Sequence, residues 1–141
     1  MKEIKVTTKE KLQILDITEE IEETISGVNE GVVVAYVPHT TAAITIQEHD
    51  TELWEDLLNA YQKLVPIKGN YKHNAKYSGM PSEQNAHSHI LSSMIKPFIL
   101  IPVVNDQLQL GTWQKILFIE LDGGRHRTVK LLTISKGDEK P

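Results

Sequence analysis

The spacing of apolar residues predicts a fold built mainly from short strands. Several segments alternate between apolar and polar residues, as half-buried strands do. Residues 31–37 are instead β-branched and nearly all apolar, which predicts a strand buried on both faces. The predicted strands cover residues 3–8, 11–17, 31–37, 43–47, 98–104, 108–110, 115–122 and 125–135.

Helical periodicity is clearest between Asp50 and Leu64, where Asp50 can cap the first turn and Pro66 ends the segment. An earlier helix is expected to begin with Thr18 as its N-cap and to end at Gly27. A third, short helix is expected over residues 88–95. The apolar stripe of the long helix indicates packing against the core: Leu53, Trp54, Leu57, Leu58, Tyr61 and Leu64.

Two dipeptides have the chemistry of tight hairpin turns, Asn105-Asp106 and Gly123-Gly124. Together these elements predict an α+β fold with a jelly-roll-like β-sandwich core of mainly antiparallel strands and two or three covering helices. We expect one domain over residues 1–141, with a frayed tail at 136–141. Residues 68–85 are polar and aperiodic, and such a long irregular segment in a small domain often serves a site.

Composition narrows the possible functions. The chain has 141 residues, a formal charge of −4 and no cysteine. The negative charge argues against binding the phosphate backbone of nucleic acids. Without cysteine, thiolate catalysis is excluded, and metal ligands must come from His, Asp and Glu. No signal peptide and no apolar run of about 18 residues is evident, so we expect a cytoplasmic protein without membrane partners.

Histidines are the main candidates for chemistry. His39 follows the buried strand on a proline turn, where it can project into a pocket or be held by the backbone. His87 and His89 would face the same side of an extended segment, a spacing seen in metal sites, and would diverge on a helix. The alternative is that both are ordinary polar loop histidines. Glu48 ends a strand and is either a general base or ligand, or a solvated acid.

Two further segments suggest ligand binding. Trp113 beside Gln114 is either a core residue at a bulge or a platform for a planar ring whose edge the amide reads. Arg125 and Arg127 share a face of a regular strand and suit an anion. Cross-strand pairing of these arginines with Glu120 or Asp122 is equally compatible with the spacing.

The strings His39-Thr40-Thr41-Ala42, Asn70-Tyr71-Lys72-His73, Ser88-His89-Ile90 and Leu110-Gly111-Thr112-Trp113-Gln114 occur in the order found in the YjbQ-like family. With further matches, this resemblance runs from about residue 4 to residue 135, and the family is labelled as secondary thiamine-phosphate synthases. The resemblance implies a homotrimeric β-sandwich. Asn74 departs from the family pattern, which usually has an aspartate after the histidine.

The resemblance also implies a site. His39, His73 and His89 would bind a divalent metal, most simply zinc, with magnesium possible alongside a phosphorylated substrate. Glu48 and His87 would move protons. The substrate would be a phosphorylated metabolite, and the implied reaction joins a pyrimidine pyrophosphate to a thiazole phosphate. The substrate-binding residues would be Thr40, Thr41, Trp113, Gln114, Arg125 and Arg127. The alternative function is a trimer that binds metal and phosphometabolite without turnover.

Overall fold

The structure is a computed structural model that describes residues 1–137. The predicted tail therefore lies largely outside the described residues, although the backbone N–H of Lys136 donates to the carbonyl of Glu30. The strands are β1 (Lys2–Thr7), β2 (Gln13–Asp16), β3 (Glu30–Tyr36), β4 (Ala42–Gln47), β5 (Phe98–Val104), β6 (Gln107–Leu108), β7 (Lys115–Glu120) and β8 (His126–Ser135). The α-helices are α1 (Thr18–Thr24), α2 (Thr51–Leu64), α3 (Lys72–Lys76) and α4 (Ala86–Ile95).

Two antiparallel sheets form the core, as the strand pattern predicted. A five-stranded sheet has the order β1-β8-β3-β5-β6, and a three-stranded sheet has the order β2-β7-β4. The apolar residues between the two sheets make the larger core cluster, in which Val33, Ile44, Ile101, Phe118 and Val129 are buried. The α+β class and the mainly antiparallel core are thus confirmed.

Helices α2 and α4 supply side chains for a second apolar layer on the other face of the small sheet. Leu91 of α4 and the stripe residues Trp54, Leu57, Leu58 and Tyr61 of α2 pack against Leu117 and Ile119. Leu64, also predicted to face the core, is instead 68% exposed at the end of α2. The predicted N-cap of α2 is confirmed, since the Asp50 carboxylate accepts from two backbone N–H groups in the first turn. No helix among residues 1–137 is long and apolar enough to cross a membrane.

Three local predictions need correction. The first helix begins at Thr18 instead of being capped by it, because Asp16 accepts hydrogen bonds from the backbone N–H and hydroxyl of Thr18. The segment predicted to be irregular contains α3 and a 3₁₀ turn at Pro81–Glu83. Gly123-Gly124 is not a hairpin turn, since β7 belongs to the small sheet and β8 to the large one. The Asn105-Asp106 turn is confirmed, with positive φ at both residues.

The large sheet presents an apolar surface on the side away from the core. Cross-strand neighbours there form apolar rows, for example Leu132, Val34 and Leu100. Several of these side chains are well exposed in the single chain. We call this surface the outer face; it comprises Val32, Val34, Tyr36, Phe98, Leu100, Pro102, Val104, Leu132 and Ile134.

Candidate functional site

A cleft of about 540 Å³ opens where β3 ends and α4 passes alongside it. Two of the six histidines face it, His39 from the loop after β3 and His89 from α4. We call it the imidazole cleft. Its other lining residues are Tyr36, Val37, Pro38, Thr40, Ser92, Ser93 and Pro97.

His39 is held by the large sheet. The backbone N–H of Thr128 in β8 donates to Nε2 of His39 across 3.0 Å. A neutral imidazole has one lone pair and one N–H, so the proton of His39 is on Nδ1. Burial and the nearby charge of Arg127 lower the pKa of His39, which keeps the ring neutral at pH 7. His39 therefore offers a hydrogen-bond donor and has no lone pair free.

His73 has the opposite tautomer, and its neighbour Asn74 sets it. The buried Oδ1 of Asn74 accepts from the backbone N–H of Ala86, which identifies this atom as the oxygen. Nδ1 of His73 lies 3.0 Å from the same oxygen and must therefore donate to it. Nε2 of His73 is left with a free lone pair, the arrangement that outer partners impose on metal-binding histidines. Asn74 thus does the orienting that the usual aspartate would do, without its charge.

His89 lies beside His73, with 5.0 Å between the ring centroids. Burial and the imidazole of His73 lower the pKa of His89, so its neutral form is favoured at pH 7. Two neighbouring imidazole rings are a pair that can bind a divalent metal through their free lone pairs. Among residues 1–137, however, no three His, Cys, Asp or Glu groups lie close enough together to hold one. The fit to the expected three-histidine centre is thus limited to His73 and His89, and metal binding stays a prediction.

His87 does not line the imidazole cleft, because positions 87 and 89 diverge on the helix α4. Its ring is fully buried. Ser88 uses its hydroxyl hydrogen on the carbonyl of Leu121, so Nε2 of His87 must be the donor to the Ser88 oxygen. Nδ1 of His87 then has a lone pair without a partner among the described residues. A role for His87 in proton transfer stays a prediction without a cleft contact to support it.

Arg127 joins the two sheets. Its guanidinium, 5% exposed, donates from Nε and Nη2 to the carboxylate of the fully buried Glu120 in β7. Nη2 also donates to the hydroxyl and carbonyl of Thr41. Thr41 is buried and serves this contact, whereas Thr40 is exposed in the cleft. Arg127 therefore pairs with Glu120 within the chain. This is the cross-strand pairing that the sequence left open as the alternative to anion binding.

Arg125 has a similar arrangement near the surface. It donates to the carboxylate and the carbonyl of Asp122. Asp122 also accepts from Lys11 and Asn85. Burial alone would raise the pKa of Asp122, but these three donors hold it below its ordinary value. In this structure both arginines have acid partners, and neither faces the imidazole cleft.

Glu48, Trp113 and Gln114 lie together in a second, smaller cleft of about 270 Å³. Ile46 and Gln47 complete its lining, so none of its residues is shared with the imidazole cleft. We call it the indole cleft. Trp113 is 71% exposed, which rules out the core alternative considered for it. Within one chain Glu48, Trp113 and Gln114 thus line a different cleft from His39 and His89.

The sequence reasoning missed the residues that position the histidines. Ser88 and Ser92 lie four apart on α4 and donate to carbonyls of β-segments, at Leu121 and Ala42. Their helical spacing is a signal that was available. The contact of Thr128 with His39 joins residues 89 positions apart and had no local signal.

These features define a two-sheet α+β domain with a histidine-lined cleft at the end of its large sheet. The family model described as UPF0047 protein YjbQ-like matches residues 2–136, and the chain belongs to this family. A UPF0047 protein of Archaeoglobus fulgidus is 38% identical over 127 residues, which cover 90% of this chain and 95% of the relative. YugU of Bacillus subtilis is 34% identical over 131 residues, covering 91% and 94%.

Solved structures agree with this assignment. The crystal structure of a hypothetical protein from Aeropyrum pernix K1 matches with a TM-score of 0.87 and 42% identity, covering 96% of this chain and 98% of the other. A YbjQ-like protein from Sulfolobus solfataricus matches with a TM-score of 0.88 and 31% identity, covering 96% of both chains. The family predicted from the sequence strings is confirmed.

Proposed function

We propose that this protein is a small metal-dependent enzyme that acts on a phosphorylated metabolite in the imidazole cleft. The observation that carries the proposal is the adjacent pair His73 and His89, with one tautomer set by Asn74. A pair of imidazole ligands favours zinc, and magnesium would be expected only with phosphate oxygens completing its shell. When bound, such an ion polarises a phosphate or activates a water.

The residues of the chain contribute orientation and hydrogen bonds. Nδ1–H of His39 is a donor held in place by Thr128, and the hydroxyl groups of Thr40 and Ser93 lie in the same cleft. A cleft of about 540 Å³ is within the range used for small metabolites. For the specific reaction we propose the one implied by the family resemblance, coupling of a pyrimidine pyrophosphate to a thiazole phosphate with release of pyrophosphate.

A binding protein without turnover is the second candidate, and one observation favours it. Within residues 1–137 no carboxylate lines the imidazole cleft, and Arg127 is already bound to Glu120. The cleft of a single chain therefore holds neither an acid for proton transfer nor a free arginine for phosphate. This candidate predicts metal and phosphate binding with no product.

Metal analysis tests both candidates. We expect purified protein to contain zinc or to bind it when added, and His73→Ala or His89→Ala to lower its content. His126→Ala is the matched control, because His126 is exposed and contacts Thr7 instead of the cleft. Absence of metal, with no shift in melting temperature on adding zinc, would contradict the proposal. Chromatographic detection of product then separates enzyme from binder.

We propose further that the protein assembles as a homotrimer through the outer face. Six of its side chains are two-fifths to one-half exposed, which corresponds to roughly 500 Å² of apolar surface, at the upper end for a monomer. Tyr36 belongs to both the outer face and the imidazole cleft. A neighbouring copy on this face would therefore border the cleft.

Light scattering tests the assembly. We expect a trimer at micromolar concentration and a smaller species for Leu100→Glu, which puts a charge in the centre of the outer face. Leu64→Glu is the control, because Leu64 is equally apolar and exposed but lies at the end of α2. A monomeric parent protein, or equal effects of the two substitutions, would contradict the proposal.

A further inference from the structure

The indole cleft contains a carboxylate without a partner. Glu48 is half-buried, and its carboxylate accepts no hydrogen bond and forms no ion pair among residues 1–137. Its backbone is fixed, because the indole N–H of Trp54 donates to the Glu48 carbonyl across 3.0 Å. A positioned, unpaired acid in a cleft can accept from a donor on a ligand.

Trp113 is presented beside this acid by a short turn. Gln114 closes the turn twice: its backbone N–H donates to the carbonyl of Gly111, and its Oε1 accepts from the Gly111 N–H at 2.7 Å. The amide of Gln114 is thereby oriented with its NH₂ group left over as a donor. The indole is exposed and makes no hydrogen bond within the described part of the chain. This turn therefore presents an aromatic face in the unliganded chain.

Lys115 does not balance the negative charge of Glu48 in the indole cleft. Lys115 pairs with Gln47 across the strands, but its side chain lines a different cleft, together with Asp16 and Glu19. Of the residues that the structure describes, Glu48 is thus the only charged one lining the indole cleft. A carboxylate and an indole face both attract cations, and an exposed indole face also stacks on planar groups.

We propose that the indole cleft binds a planar organic cation, such as an aromatic ring bearing a protonated amine. The cation would lie between the Glu48 carboxylate and the face of Trp113, with the Gln114 amide at its edge. A volume of about 270 Å³ suits one ring and not a two-ring phosphorylated substrate. The site is independent of metal binding in the imidazole cleft, so either proposal can fail alone.

The test uses the indole N–H resonances of Trp113 and Trp54 in the full-length protein, assigned with Trp113→Phe. Benzylammonium, benzyl alcohol and benzoate are the probes, since they share one ring and differ in charge. We expect benzylammonium to shift the Trp113 resonance saturably with a dissociation constant of about 1–10 mM, as a small exposed site allows. Benzoate should not saturate.

Glu48→Gln should weaken benzylammonium binding about fivefold, the scale of an exposed ion pair. Glu55→Gln is the matched control, because Glu55 is an exposed acid on α2, outside the cleft. Equal shifts with all three probes, no loss in Glu48→Gln, or no shift of Trp113 by any probe would overturn the proposal. The last result is also the one expected if a second copy of the chain covers Trp113.

Discussion

Replacing Arg127 by leucine should remove a large part of the stability of this domain. The substitution leaves the Glu120 carboxylate, which is fully buried, with only three of its five hydrogen bonds. Breaking a buried ion pair by deleting one partner costs about 3–5 kcal/mol, because the remaining charge is desolvated and uncompensated. Thr41 loses the two hydrogen bonds that Nη2 of Arg127 donates to its carbonyl and hydroxyl oxygens. Against a total of about 5–15 kcal/mol, this loss is severe.

Urea unfolding followed by tryptophan fluorescence measures the effect, at one fixed protein concentration for all variants. A double-mutant cycle separates the ion pair from the loss of packing. We expect Arg127→Leu and Glu120→Gln each to cost about 3–5 kcal/mol and the double variant to cost clearly less than their sum, with a coupling above about 2 kcal/mol.

The pH dependence of the free energy of unfolding is a second test of the Arg127–Glu120 ion pair. Burial alone would raise the pKa of Glu120, but the bonds from Arg127, Thr8 and the backbone lower it below its ordinary value. A lowered pKa in the folded state stabilises the protein above the unfolded pKa, and this stability is lost as the pH falls through the folded pKa. Arg127→Leu should therefore reduce the acid-side loss. Additive single effects, or a cost below about 1 kcal/mol together with weaker phosphate binding, would refute the structural role.

Three further substitutions test other contacts. Asn74→Ala should weaken zinc binding about tenfold in calorimetric titration, since His73 loses the partner that sets its tautomer, and Asn74→Asp should retain it. Gly31→Ala should cost more than about 1 kcal/mol in urea unfolding, because an added Cβ would lie 2.1 Å from a backbone oxygen of β8; Gly137→Ala, with open space around it, should be neutral. Asp122→Asn should lower the melting temperature at pH 7 and flatten its fall toward acid pH, since the pKa of Asp122 in the folded chain lies below its ordinary value of 3.8 and the resulting stability, complete above 3.8, is lost as the pH falls through the folded pKa. An unchanged zinc affinity in Asn74→Ala would contradict the role of Asn74. An equal cost of the two glycine substitutions would contradict the close approach at Gly31. A pH profile of Asp122→Asn parallel to that of the parent protein would contradict the role of Asp122.

The strands could be predicted because their periodicity is local. Alternation places β1 and β4, and the apolar run at 98–104 places β5, within a residue or two of their observed bounds. The hairpin predicted at Gly123-Gly124 was wrong because two consecutive glycines occur both in hairpin turns and in connections between two sheets, and local sequence does not distinguish them. Which strand pairs with which is decided by contacts far apart in sequence.

The outer face also has a sequence signal. Residues 31–37 and 98–104 are apolar on both sides of the strand, which predicted burial on both faces for the first of them. In the single chain only alternate residues are buried, at Val33, Ala35, Ile99, Ile101 and Val103. The strands therefore contain more apolar surface than one copy of the chain covers.

The site was predicted in outline, and its contacts were not. Two of the candidate histidines, His39 and His89, do line one cleft. His39 follows the end of β3, and His89 lies on α4, which passes beside that end. The pairing of Arg127 with Glu120 rather than with a ligand depends on how two sheets stack, which residue spacing does not reveal. The tautomers of His39 and His73 depend on Thr128 and Asn74, and such contacts require coordinates.

We propose that His73 and His89 bind a divalent metal together at the edge of the imidazole cleft, which His89 lines and His73 adjoins through its contact with His89. Crystals grown with zinc and measured on both sides of its absorption edge test this claim most directly, because the anomalous difference map locates the ion. We expect a peak within about 2.0–2.1 Å of Nε2 of His73 and of one ring nitrogen of His89, with Nδ1 of His73 still directed at Asn74. A protein that binds no zinc there, or binds it only at exposed His126 or His49, would contradict metal binding by this pair.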